Sequence, residues 1–256
     1  MAGIRVLAVT DHDTTAAIAD VGRAAAQFGL THVPGIEITA VDEGRDVHVL
    51  GYFFDFASPP LVECLARQRT VRRDRVRAIG ARLARAGRPL DVERLLAEAP
   101  PLRAVGRPAV AAALVAAGHA RTTHEAFDQW LVEGRPAWVP REGPGVREVA
   151  DLLHGAGGIS SLAHPVLYGR DKDIPRWREA GLDAIEVWHS EHDATTSARY
   201  LEIARRLDLL ATGGSDFHGD HPAGPVRRCP RLLGRVTLPN AEFARIEKVV
   251  AKLRPA

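Results

Sequence analysis

The 256 residues carry 34 Lys+Arg against 32 Asp+Glu, a formal charge of +2, with 46% hydrophobic and 26% charged residues. That balance fits one large globular domain, or one domain with a sizeable insertion. It excludes a disordered chain and a binder of long nucleic acid that relies on bulk positive charge. The first expected element is a buried strand over Ile4–Thr10, followed by an Ala-rich helix from Thr14, a candidate N-cap, to Phe28, closed by Gly29. Strand patterns follow at His32–Ala40 and Val47–Phe54.

Between Pro59-Pro60 and Pro140 the pattern turns helical, with spans expected near Leu61–Ala86, Asp91–Ala99, Pro108–Ala117 and Thr123–Leu131. Gly87, Pro89, Gly118 and Gly134 punctuate them. Strand and helix then alternate again: strands at Gly158–Ala163, Ala184–Trp188, Leu209–Thr212 and Arg235–Leu238, helices at Val146–His154, Ala194–Leu207 and Asn240–Leu253. The reading is an α/β protein, a parallel sheet or barrel with helices outside, over residues 1–58 and 141–256. Residues 59–140 form a helical insertion leaning over one end of it.

Two distant cysteines, Cys64 and Cys229, give neither a disulfide framework nor a CxxC pair. No apolar run approaches the length of a membrane span, and the opening Met1-Ala2-Gly3-Ile4-Arg5-Val6 is not a signal peptide. The expected location is cytoplasmic.

Histidines and carboxylates gather where strands end. Asp11-His12-Asp13 follows the first strand, Glu37 lies at the end of the second, and His48 sits in the third. His164 follows Ile159–Ala163, His189 follows Ile185–Trp188, and Asp216-Phe217-His218 follows Leu209–Gly214. In βα architectures the carboxyl ends of strands face a common opening. Imidazole and carboxylate groups delivered there from several strands are what a hydrolytic Zn, Mn or Fe site requires. His32, His119, His124, His154, His192 and His221 have no such context and read as surface or helix-end residues, while Trp130 and Trp138 read as packing residues.

Thr10-Asp11-His12-Asp13, Gly35-Ile36-Glu37-Ile38, His48-Val49-Leu50-Gly51-Tyr52, Ala163-His164-Pro165 and Gly213-Gly214-Ser215-Asp216-Phe217-His218-Gly219 stand in this order along the chain. Together they resemble the successive motifs of the PHP (polymerase and histidinol phosphatase) superfamily. The likeness is greatest to its stand-alone phosphoesterases acting on nucleoside 3′,5′-bisphosphates and short oligonucleotides. The resemblance implies a distorted (β/α)7 barrel with up to three divalent metals, Mn²⁺ first and Zn²⁺ or Fe²⁺ as alternatives. By motif, Glu37 bridges two metals, His48 and His164 complete one, Asp216 binds the other, and His12 and His218 hold a third. The family also opens with a His-x-His strand and a following aspartate, and no His-x-His occurs among these residues. Fewer metals are therefore expected on this chain, and a barrel short of its first strand. Of a mis-set start codon, a truncated chain and a degenerate member, the survival of every downstream ligand favours the first.

The arginines are concentrated. Only three of the cations are lysines (Lys172, Lys248, Lys252), and eight arginines lie between Arg67 and Arg85. They read either as a solvated basic face or as guanidinium forks that seize a phosphate. The resemblance points to Arg72, Arg73, Arg75 and the Gly106-Arg107-Pro108 motif as substrate contacts. Ala109 stands where the family often has histidine. The candidate catalytic histidines are His164 and His189; the latter either donates to phosphate or a leaving oxygen, or supports the site from behind. The expected activity is hydrolysis of the 3′-phosphate of nucleoside 3′,5′-bisphosphates, or trimming of short oligonucleotides, through a metal-bound hydroxide. The alternatives are a histidinol-phosphate-type phosphatase, a catalytically impaired metal-binding accessory module, and a proofreading module paired with a separate polymerase.

Overall fold

The computed structural model describes residues 3–100, 102–219 and 232–253; Cys229 and His221 lie outside the described residues. The chain divides into two compact units, one of residues 1–42, 46–62 and 144–256, the other of residues 43–45 and 63–143. The architecture is mixed α/β.

In the first unit, β1 (Val6–Leu7) and β2 (Thr31–His32) pair in parallel, with helix α1 (Ile18–Gln27) between them in sequence. A five-stranded sheet follows in the order β3 (Gly35–Asp42), β4 (Arg45–Tyr52), β5 (Ile159–Leu162), β6 (Ala184–His189) and β7 (Leu210–Gly214). The strand expected over Ile4–Thr10 is thus confined to two residues, and the one over His32–Ala40 is interrupted at Val33-Pro34, where proline offers no N–H to a ladder. The chain beyond β1 nonetheless stays beside β3: Glu37 donates its N–H to the Asp11 carbonyl at 3.1 Å, and Asp13 donates to the Glu37 carbonyl at 2.9 Å. Gly35 permits this approach, because a Cβ there would lie 2.8 Å from the Val9 carbonyl oxygen.

The sheet is not all parallel as the βα rhythm suggested. Glu43 and Gly44, both with positive φ (52° and 76°), form the two-residue turn between β3 and β4, the type I′ geometry of an antiparallel hairpin. β4 then pairs antiparallel with β5, Val49 opposite Leu162 and Tyr52 opposite Ile159, whereas β5–β6 and β6–β7 are parallel. With no crossover helix between β3 and β4, the chain direction has to reverse. Residues 235–238 form no strand; Leu233–Arg235 is a turn. Among the described residues β1 pairs only with β2 and β7 only with β6, and both strands line one cavity of about 990 Å³.

The helices hold closer to expectation because their signals are local. In the second unit α2 runs over Pro59–Arg85, which begins in the first, α3 over Val92–Ala97, α4 over Arg107–Ala116 and α5 over Thr123–Ala126. α3 is capped by Asp91, whose carboxylate accepts the Arg94 N–H at 3.0 Å; α5 is capped by Thr122 and runs into a π-turn over Phe127–Leu131. Their apolar faces meet in a core that includes Val76, Ile79, Leu83, Val110, Leu114 and Leu131. The first unit adds α6 (Val146–Gly155), α7 (Ile174–Glu179), α8 (Ala194–Arg206) and α9 (Asn240–Leu253), of which the short α7 was not expected. Helix α1 begins four residues after Thr14, whose hydroxyl instead accepts the Ala16 N–H at 3.2 Å.

Candidate metal centre

Glu37 is the hub. Its side chain lies inside the first unit, only 6% exposed, and three imidazoles converge on its two oxygens. His48 Nδ1 is 2.5 Å from Oε1, His164 Nε2 is 3.1 Å from the same oxygen, and His12 Nδ1 is 3.6 Å from Oε2. The His48 ring stands edge-on to both His12 and His164, each 5.1 Å away between centroids. Burial by itself would raise the Glu37 carboxyl pKa. Hydrogen bonds from His164 and His48, with the charges of His48 and His12, outweigh burial and hold it well below the ordinary carboxylate range.

A second group sits at the end of β7. His218 Nδ1 lies 2.8 Å from the Asp216 carbonyl, which can only accept, so Nδ1 donates there. The His218 ring is 6.3 Å from that of His12, linking the two groups. His189 Nε2 approaches Asp216 Oδ2 at 3.4 Å, and its ring is 5.6 Å from that of His164. The six expected metal ligands are therefore drawn into two adjoining groups of one unit. His189 lies beside them, its side chain 0% exposed.

Several supporting residues carried no role in the sequence reading. Asp13, fully buried, accepts the Thr39 N–H at 2.8 Å and ties the His12 turn to β3. The Tyr168 hydroxyl accepts the His48 N–H at 2.9 Å. Glu186, 4% exposed, accepts the His164 N–H at 2.7 Å. The signal for Glu186 was present in the sequence: a lone acid inside the apolar run Ala184-Ile185-Glu186-Val187 is a costly group that needs a buried partner.

The four arginines expected to touch substrate all belong to the helical unit. Arg75 donates from Nε and Nη2 to the Val139 carbonyl at 2.9 and 2.8 Å, and Arg73 donates to the Leu96 carbonyl at 3.2 Å. Arg72 and Arg107 are half-buried, and Arg72 Nη1 is 3.2 Å from the position a Cβ on Gly106 would take. Gly106 thus makes room for Arg72 beside the Gly106-Arg107-Pro108 turn. Arg82 donates to the Trp138 carbonyl and Arg77 pairs with Glu93 at 2.7 Å, so the basic run is not only a solvated face.

Chemically, the site suits a divalent transition ion. The nitrogen and oxygen ligand atoms of His12, Glu37 and His48 lie within 4.8 Å of one another, and a largely buried carboxylate among imidazoles is a donor set that Mn, Fe and Zn accept. No family model matches the chain. It is 33% identical over 228 residues to the 5′-3′ exoribonuclease Rnm of Escherichia coli, a match covering 86% of this chain and 77% of that protein. It is 30% identical over 224 residues to the 3′,5′-nucleoside bisphosphate phosphatase of Chromobacterium violaceum, covering 86% of this chain and 79% of that one. The solved structure of a Bifidobacterium adolescentis protein described as a metal-dependent phosphoesterase is similar with a TM-score of 0.80 and 34% identity, over 95% of this chain and 85% of that one. Identity of this level across most of each chain, together with the converged carboxylate and imidazoles, means that this chain belongs to the PHP superfamily of metal-dependent phosphoesterases.

Proposed function

We propose that the chain removes the 3′-phosphate of nucleoside 3′,5′-bisphosphates or trims short oligonucleotides, with Mn²⁺ as the resident ion. The observation that carries this reading is the convergence of His12, His48 and His164 on the largely buried Glu37 carboxylate. In it, Glu37, His48 and His164 hold one ion, while Glu37 with Asp216 and His12 with His218 offer only partial ligand sets, so the chain carries fewer than three ions. Bound divalent ions supply positive charge for the phosphoryl oxygens and acidity for the attacking water. Glu37, kept ionised below the usual range, holds that charge in place. Arg72 and Arg107 take the substrate's other phosphate by guanidinium forks, while Arg73 and Arg75 serve their own unit's carbonyls as well. The barrel reading of the fold, of the (β/α)7 type, is supported by a cavity lined by both β1 and β7.

Phosphate release from a nucleoside 3′,5′-bisphosphate, a short oligoribonucleotide and histidinol phosphate, measured side by side with Mn²⁺ and with chelator, tests the proposal. Metal-dependent turnover of either nucleotide substrate, at least about tenfold above histidinol phosphate, is expected, since a lost phosphate contact is worth about that factor. Preference for histidinol phosphate, or activity indifferent to chelator, overturns it. Arg72→Ala should raise KM for the bisphosphate far more than it lowers kcat.

A further inference from the structure

Strand β6 carries none of the proposed metal ligands, yet its side chains reach toward two of them. We infer that β6 is the positioning strand of the centre: Glu186 orients His164, and His189 orients Asp216. The inference rests on the proposed assignment of His164 and Asp216 as metal ligands.

The strand's irregularity makes this possible. Along a regular strand, residues three apart point to opposite faces. Pairing with β7 runs Glu186 opposite Thr212 and then Trp188 opposite Gly213, so Val187 is an extra residue and the phase shifts by one. Glu186 and His189 then share the inner face, 4% and 2% exposed. The bulge also explains Gly213, where a Cβ would come 2.9 Å from the Cβ of Trp188.

Both residues that β6 supports are backbone outliers. His164 has φ 29° and Asp216 φ 49°, left-handed conformations that are uncommon for a residue with a Cβ and that tertiary contacts can hold in place. At His164 the determinant is the 2.7 Å hydrogen bond from its own N–H to Glu186 Oε2, which fixes the turn after β5 so that the ring meets Glu37. At Asp216 the support is twofold. Ser190, the residue after β6, donates its hydroxyl to the Ser215 carbonyl at 2.7 Å. His189 Nδ1 accepts the Glu191 N–H at 3.1 Å, so the neutral ring keeps its proton on Nε2, the nitrogen that faces Asp216 Oδ2. Ligating carboxylates hold their orientation through such outer hydrogen bonds. His189 is on this account a positioning residue and not a group that touches substrate.

The test has readouts that need no metal. In the chelated protein, ¹⁵N shifts of His189 should show the proton on Nε2; a proton on Nδ1 overturns its role. Hydrogen exchange at the His164 amide should speed up at least about tenfold in Glu186→Ala, as one buried hydrogen bond is lost. Glu186→Gln, which keeps an acceptor oxygen, should restore the protection. Equal exchange in the parent and Glu186→Ala overturns the role of Glu186, as does a Gln variant no better than Ala. Calorimetric Mn²⁺ titration should then show about 10–100-fold weaker binding for Glu186→Ala and for His189→Ala, in line with losses around metal sites generally. Intact exchange and tautomer results with unchanged Mn²⁺ affinity would overturn the ligand assignment and leave the positioning contacts standing.

Discussion

The two units bury different chemistry. Most buried polar residues, including Asp13, Glu37, His164, Arg170, Glu186 and His189, lie in the first unit; among the described residues the helical unit contributes Gln68 and Arg141. Its core is otherwise apolar, and its arginines are tied to carbonyls such as Val139 and Leu96 or to acids such as Glu93. Burying a carboxylate or an imidazole is expensive unless hydrogen bonds compensate. The first unit bears that cost around Glu37, His164, Glu186 and His189. The helical unit, built on apolar burial, buries one charged residue among those described, Arg141.

Substitutions can break or sharpen this contrast, and the largest effect belongs to the hub. Glu37→Ala should cut metal binding and phosphate release by more than about 100-fold, beyond the loss of an outer support, while circular dichroism keeps its native shape. A Glu37→Ala protein with near-parent turnover would place the chemistry elsewhere. In the helical unit Leu114 is fully buried, and Leu114→Ala should lose about 2–5 kcal/mol in urea unfolding with no change in metal affinity. A parallel loss of metal affinity would show that the two units are not energetically separable.

A smaller effect is expected at Asp42, which closes β3 and accepts from Arg170 at 2.7 Å and from Arg176 at 2.7 and 2.8 Å. Asp42→Asn removes one of the two carboxylates on buried Arg170, the other being Asp173 at 2.6 Å, and should cost about 1–3 kcal/mol. The hydrogen bond from Arg176, ahead of the opposing effect of burial, holds the Asp42 carboxyl below its ordinary value. Its contribution is therefore present above the unfolded pKa of about 4 and is lost as pH falls through the lower folded value. Acid unfolding of Asp42→Asn should show a flatter limb there.

The smallest effect is at His154, whose pKa is raised by its hydrogen bond to Asp183 at 2.7 Å, against burial. That contribution is complete below about pH 6.5 and disappears as pH rises through the elevated folded value. Both side chains are about a third exposed, so screening limits it to about 0.2–1 kcal/mol. Thermal melts of His154→Gln should lose the decline above pH 6.5 that the parent shows. His154 had read as a helix-end residue without context; its partner comes from a loop 29 residues away, beyond any local pattern.

The sequence by itself determined the features whose causes lie within a turn or two of chain. Helix spans such as Asn240–Leu253 follow from 3.6-residue periodicity. His12, Glu37, His48, His164, Asp216 and His218 stood out because polar ligand types cluster at the ends of apolar runs. Only the tertiary structure decided what depends on the residue opposite. It reversed the chain at Glu43-Gly44, reduced Ile4–Thr10 to a two-residue strand, and slipped β6 past β7 by one residue. That slip turns Glu186 and His189 to the same face, and no spacing along one strand could reveal it, because a bulge is defined by the partner strand it fails to match.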